Sequence, residues 1–112
     1  MPTNQINAAT FDGVMQQADL IQYQTGSVVS RTLMKQPGGN VTAFAFDQGE
    51  GLSEHTAPFD AIVFMIEGDA EVSIAKNIHR IHAGQILILP ASQPHAVKAI
   101  TRFKMILVMI KA

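Results

Sequence analysis

From Val28 onward the chain falls into short apolar blocks, some alternating and some continuous, broken by turn residues at nearly regular intervals. The blocks are Ser27 to Met34, Asn40 to Phe46, Ala61 to Glu67, Ala70 to Ala75, Ile78 to His82, Gln85 to Leu89, His95 to Ala99 and Phe103 to Ile110. Within 40–46, Val41, Ala43 and Ala45 alternate with Thr42, Phe44 and Phe46, the period of a strand whose successive side chains point to opposite faces. Between blocks lie Pro37-Gly38-Gly39, Gly49 to Gly51, Gly68-Asp69, Lys76-Asn77, Ala83-Gly84 and Pro90 to Pro94, all combinations that reverse a chain. No helical pattern of about 10 to 15 residues separates two blocks, so the spacing predicts an all-β sandwich or barrel and excludes βαβ units. The only helical signal is a short turn over 12–19, with Asp12 as its cap and Val14, Met15 and Ala18 on one face.

Two blocks are apolar at odd and even positions alike, Ile62 to Ile66 and Met105 to Ile110, so both faces of these strands must leave water. A closed barrel buries only its inside. The outer face therefore calls for a second sheet or a second subunit, and a homodimer is expected. At 112 residues the chain holds one domain, 1–112, with an N-terminal arm over 1–26 that is expected to reach a partner subunit and a barrel over 40–110. Charged residues make up 15%, against about 25% in an average domain, while 47% are hydrophobic. That imbalance agrees with burial on more than one face.

A net charge of -1 supplies no basic field for nucleic acid or an anionic membrane, so neither partner is expected. The absence of cysteine removes disulfides, thiolate metal sites and thiol nucleophiles, leaving nitrogen and oxygen as metal donors. The N-terminal stretch lacks a basic region followed by an apolar run, and the longest wholly apolar runs are six residues, against the ~18 needed to span a bilayer. A cytoplasmic location is the expectation.

The candidate chemistry sits on four histidines. His79 and His82 are three apart on a strand, which sends them to opposite faces and prevents a shared metal clamp. His55 and His95 each follow a Gly- or Pro-rich loop and are expected to open a strand. Ser53, Thr56 and Ser92 lie near them, but no orienting carboxylate or nucleophile-elbow motif accompanies a serine.

The segments around His55 and His95 resemble the two motifs of the cupin family, small jelly-roll barrels also described as double-stranded β-helices. The first motif runs glycine, five residues, His, one residue, His, three or four residues, Glu, six residues, Gly. Gly49, His55 and Gly68 keep it, while Ala57 and Ala61 stand in place of the second His and the Glu. The second runs glycine, five residues, Pro, one residue, Gly, two residues, His, three residues, Asn. Gly84, Pro90 and His95 keep it, with Ser92 in place of the glycine and Ala99 in place of the Asn.

The resemblance implies a barrel interior that usually holds a divalent metal through three His and one Glu; carried over residue by residue, only His55 and His95 remain as metal ligands. Two imidazoles fall short of the three protein ligands that catalytic zinc or non-haem iron sites keep, so at most a weakly held Mn, Fe, Ni or Zn is expected. Gln48, Glu50 and Gln93 are the loop side chains that would have to complete such a site. If His55 faces inward and the chain stays extended, period 2 also sends Ala57, Phe59, Ala61, Val63 and Met65 inward, and from His95 likewise Val97 and Ala99. The pocket is then two imidazoles in a small apolar lining. Three functions stay open: a module binding a small polar or carboxylate-bearing molecule; a metal-dependent enzyme of isomerase, dioxygenase or lyase type using His55, His95 and water; and a metal-free sugar or keto-acid isomerase or epimerase with a histidine base. Whether the protein is an enzyme is left open by these residues.

Overall fold

The computed structural model describes residues 13–111 and the backbone of a first strand, β1 (Thr3–Gln5). The further strands are β2 (Val28–Gln36), β3 (Gly39–Phe46), β4 (Gly51–His55), β5 (Asp60–Glu67), β6 (Asp69–Ile74), β7 (Asn77–His82), β8 (Ile86–Leu89), β9 (His95–Ala99) and β10 (Phe103–Ile110). They form a six-stranded sheet in the order β1-β2-β3-β10-β5-β8 and a four-stranded sheet in the order β4-β9-β6-β7. The fold is all-β, as the block pattern predicts, and is the jelly roll that the resemblance implies. Among the described residues no helix is long and apolar enough to cross a membrane.

The turn chemistry explains most strand ends, with two corrections. The β6–β7 reversal is made by Ala75 and Lys76, both at positive φ (48° and 71°), rather than by Lys76-Asn77. Paired positive φ at two central residues is the hairpin turn whose twist matches the flanking strands. The strand β4 was hidden in the sequence because its segment, Gly-Leu-Ser-Glu-His, is mostly exposed and carries one apolar side chain.

The inner faces of the two sheets meet over a core in which Phe46 and Phe103 are fully buried and stacked, with ring centroids 4.4 Å apart. Val63, Met65, Val72, Ile81, Val97 and Met105 pack in the same cluster. Truncating either phenylalanine to alanine removes packing worth about 3–5 kcal/mol.

Part of the outer face of the six-stranded sheet is covered by the arm. Ala43 and Ala45 on β3 point outward yet are fully buried, because Leu20, Ile21 and Tyr23 lie on them and a methyl group permits that close approach. Lys104 is buried in the same place and donates from Nζ to the Ala18 carbonyl at 2.7 Å. Its ammonium lies 4.8 Å from the Tyr23 ring centroid, and the Arg102 guanidinium lies at 4.1 Å. The Tyr23 hydroxyl donates to Glu67 Oε2 at 2.5 Å. At the arm's end, the Gly26 N–H donates to Asp47 Oδ2 at 2.7 Å. This bond, and the one from the Gln48 N–H, hold the Asp47 carboxyl below its usual range. The expected helical turn over 12–19 is reduced to a 3-10 turn, Gln17–Asp19; Asp12 lies outside the described residues, and Val14 and Met15 are exposed rather than forming an apolar face. The arm is held by Tyr23 and Lys104 instead.

Burial, reinforced by the hydrogen bond to the neighbouring Glu67 carboxylate, pushes the Tyr23 phenol well above its ordinary range, with Arg102 opposing more weakly. A group whose pKa is raised in the fold contributes stability that is complete below its unfolded value, about 10, and is lost as pH rises past it. Tyr23 is the sole tyrosine, so phenolate absorbance reads it directly. Its midpoint is expected above that of a free tyrosine, and an ordinary midpoint in the folded protein would show that the arm does not bury the phenol.

Ser92 also has positive φ (64°), at the position where the second cupin motif has glycine. A left-handed non-glycine residue costs roughly 1–2 kcal/mol, and glycine's extra chain entropy returns roughly 0.5–1 of it. Ser92→Gly is therefore expected to stabilise the fold by about 0.5–1 kcal/mol in denaturant titration; a net loss would contradict the left-handed backbone there.

Candidate functional site

The site is built on the pairing of β4 with β9. Gly51 lies opposite Lys98 and Leu52 opposite Val97, but His55 lies opposite His95, so three residue steps of β4 span two of β9. The extra residue is a bulge, and it changes the outcome of period 2. Without it, Leu52 and His55 would point to opposite faces. With it, Leu52 packs on the core opposite Val97 while His55 stands opposite His95, whose strand turns Val97 and Ala99 into the core. His55 therefore closes β4 instead of opening a strand, as expected from sequence, whereas His95 does open β9.

The two imidazoles are 4.2 Å apart between centroids and inclined at 68°, an edge-to-face pair. His55 Nδ1 lies 2.8 Å from the Ser53 carbonyl and His95 Nδ1 lies 3.2 Å from the Gln93 carbonyl. A carbonyl oxygen only accepts, so each Nδ1 carries the hydrogen, and in the neutral ring each Nε2 keeps its lone pair. His55 is exposed and His95 half-buried, which places the pair at a solvent-open mouth of the barrel.

Loops tie the mouth together. The Ser92 N–H donates to the Ala57 carbonyl at 2.7 Å, the Ala91 N–H to Asp60 Oδ1 at 2.8 Å, and the Ala75 N–H to the Pro94 carbonyl at 2.8 Å. The left-handed Ser92 is thus part of the brace that fixes the approach to His95. Ile74 is His95's neighbour on β6. Lys111, a residue that the motifs do not mark, sets its ammonium 5.5 Å from the Phe59 ring centroid. Its only sequence signal is a cation one residue past an apolar strand.

The inward residues expected from sequence divide into two groups. Ala57 and Phe59 lie half-buried in the 56–59 connection, where the extended run assumed from His55 to Met65 is broken. Ala61, Val63, Met65, Val97 and Ala99 are at most 7% exposed and belong to the packed core. They form the floor beneath the mouth rather than open wall. Ala99 is at the far end of β9, four residues from His95, or about 13 Å along a strand. Glu50 and Gln48 are at that far end too, since the Ala99 N–H donates to the Glu50 carbonyl. They cannot reach the histidines, and Gln93 serves His95 alone, through its backbone carbonyl. His79 and His82, on the edge strand β7, are exposed and apart from this pair.

Among the described residues no group of three or more His, Cys, Asp or Glu side chains converges as a metal site. The four positions that hold a divalent metal in the family pattern are here His55, Ala57, Ala61 and His95. Two imidazoles without a carboxylate do not fit a tightly held divalent ion, because the ligand number is halved and the charge compensation is lost.

The Cupin domain family model matches residues 43–111. A conserved protein of unknown function from Streptococcus pyogenes is 31% identical, with a TM-score of 0.89 over 97% of this chain and 96% of its own. A cupin 2 conserved barrel domain protein from Leptotrichia buccalis is 34% identical, with a TM-score of 0.83 over 87% of this chain and 47% of its own. A cupin superfamily protein from Desulfitobacterium hafniense is 24% identical, with a TM-score of 0.86 over 91% of this chain and 94% of its own. No curated protein matches the chain. The family match takes in β4 to β10 with both histidine-bearing segments, more than half of the chain, and on that ground the chain belongs to the cupin family.

Proposed function

We propose that this cupin binds a small carboxylate-bearing molecule at the barrel mouth, with the carboxylate on His55 and His95 and the rest of the molecule against the apolar rim. The observation that carries this reading is the common tautomer of the two rings: both Nδ1 atoms are committed to carbonyls, so both Nε2 atoms are available together. A carboxylic acid donates its proton to one Nε2, whereas a carboxylate that meets an imidazolium accepts from Nε2–H, and charge-assisted bonds of this type are worth roughly 1.5–3 kcal/mol each. In the 56–59 connection that follows His55, Phe59 offers an apolar surface with the Lys111 ammonium beside it. Ala57 and Ala61 carry no polar side chain that would compete with the ligand for the two imidazoles.

The test is an amide NMR titration with acetate, oxalate, malonate and benzoate. Saturable shifts are expected at His55, His95, Ile74 and Ala57, and His55→Ala or His95→Ala should each weaken binding about 10-fold, the equivalent of one such bond. Ala61→Glu should weaken it further, because a carboxylate beneath the pair competes for both imidazoles. Shifts confined to another surface, or affinities unchanged in all three variants, would overturn the reading. Parallel titration with Mn, Fe, Ni and Zn separates the alternative: saturable, histidine-dependent loading at stoichiometric metal would move the reading to a metal-dependent enzyme.

A further inference from the structure

The histidine pair occupies one wall of the mouth, at the end of β4 and the start of β9 in the four-stranded sheet. The 56–59 connection carries the chain from there to β5 in the six-stranded sheet. Four residue steps separate His55 from Phe59, at most ~14 Å of extended chain, so the ends of the two sheets meet at one opening. On the facing wall β10 ends at Ile110, which lies opposite Asp60 in the register. Lys111 follows, and its N–H donates to the Gly38 carbonyl at 2.8 Å, so the pairing with β3 continues through this residue. Period 2 then puts Lys111 on the side of Leu107, which packs on the core, while Ile110 and Asp60 are exposed on the outer side.

Lys111 is half-buried, and its ammonium lies beside the Phe59 ring, 5.5 Å from the centroid. Among the described residues no carboxylate pairs with it. The one ion pair there joins Arg102 to Asp47, at the opposite end of the barrel. Asp60, which the register brings close, faces outward and accepts the Ala91 N–H. A cation without a counter-charge from the described residues thus stands on the inner side of one sheet, across the ~10 Å that separates packed sheets from the wall that carries the imidazoles.

We propose that Lys111 is a second anchor for the ligand of the histidine pair, and that this ligand is a short dicarboxylate bridging the two sheets. One carboxyl group lies on His55 and His95 and the other on Lys111. The inference rests on the ligand reading above and narrows it. Two neutral imidazoles present lone pairs, so they take a carboxyl group that brings a proton and supply no charge for an ionised one. The ammonium supplies that charge and has no lone pair, so the two walls ask different things of a ligand. A dicarboxylic acid that keeps one proton answers both, its protonated end donating to Nε2 and its ionised end accepting from Nζ. A monocarboxylate satisfies one wall and leaves the other to water. Phe59, in the connection between the walls, gives the methylene chain an apolar surface.

Amide NMR titrations of the full chain compare acids of equal carbon number, malonate against propionate and succinate against butyrate. In at least one pair the dicarboxylate is expected to bind about 10-fold tighter, the equivalent of one charge-assisted bond. Lys111→Met should abolish that preference while leaving the monocarboxylate's affinity and its dependence on His55 unchanged, and Lys111→Arg should keep most of it. Lys76→Asn removes an equal charge from the β6–β7 turn at the same end of the barrel, and asparagine accepts the positive φ there. It should leave the preference intact. No preference in either pair would overturn the inference, as would a preference that survives Lys111→Met or falls equally with Lys76→Asn; in each case His55-dependent binding of butyrate would leave the broader ligand reading standing. Binding of all four acids that does not depend on His55 would overturn both.

Discussion

The strand β10 lies fourth in the six-stranded sheet and is apolar on both faces, with Phe103, Met105, Leu107 and Met109 turned inward and Ile106, Val108 and Ile110 turned outward. Neither side tolerates water, so the molecule is arranged to cover this strand twice. The four-stranded sheet covers the inner side, through Val72, Val97 and Ala99. The arm covers the outer side near Lys104, where one buried ammonium is satisfied by the Ala18 carbonyl and the Tyr23 ring. What the arm leaves bare is still apolar, with Ile86, Ile88 and Ile110 more than half exposed.

Beneath β4 and β9 the interior is packed by Phe46, Phe103, Val63 and Met65. The bulge in β4 returns His55 to the interior side opposite His95, above that packing. The bonds from Ser92 to Ala57 and from Ala91 to Asp60 brace the two loops before any ligand arrives, which lowers the ordering cost of binding.

Much of this was legible in the residues. Period-2 alternation and turn chemistry located β2, β3 and β5 to β10, and the two-faced blocks marked the strands that need two covers. The strand β4 escaped because Ser53, Glu54 and His55 give no apolar alternation, and its bulge escaped because no glycine marks it. The break at 56–59 left one sign, Pro58, which removes a ladder donor where an unbroken run was assumed. Residue types also mislead about openness: Val63, Met65 and Val97 point inward as the period requires, but pointing inward into a packed core differs from lining a cavity. The carbonyl partners of the two imidazoles are backbone atoms, and no side-chain pattern encodes them.

The functional reading depends on which nitrogen of each imidazole carries the hydrogen. Long-range proton–nitrogen correlation NMR on the neutral protein measures this directly, with the exposed His79 and His82 as internal references. His55 and His95 are both expected as the Nδ1-protonated tautomer, with Nε2 showing the shift of an unprotonated ring nitrogen. An Nε2-protonated neutral ring at either position would contradict the arrangement, because its Nδ1 would have no hydrogen to give the carbonyl it faces.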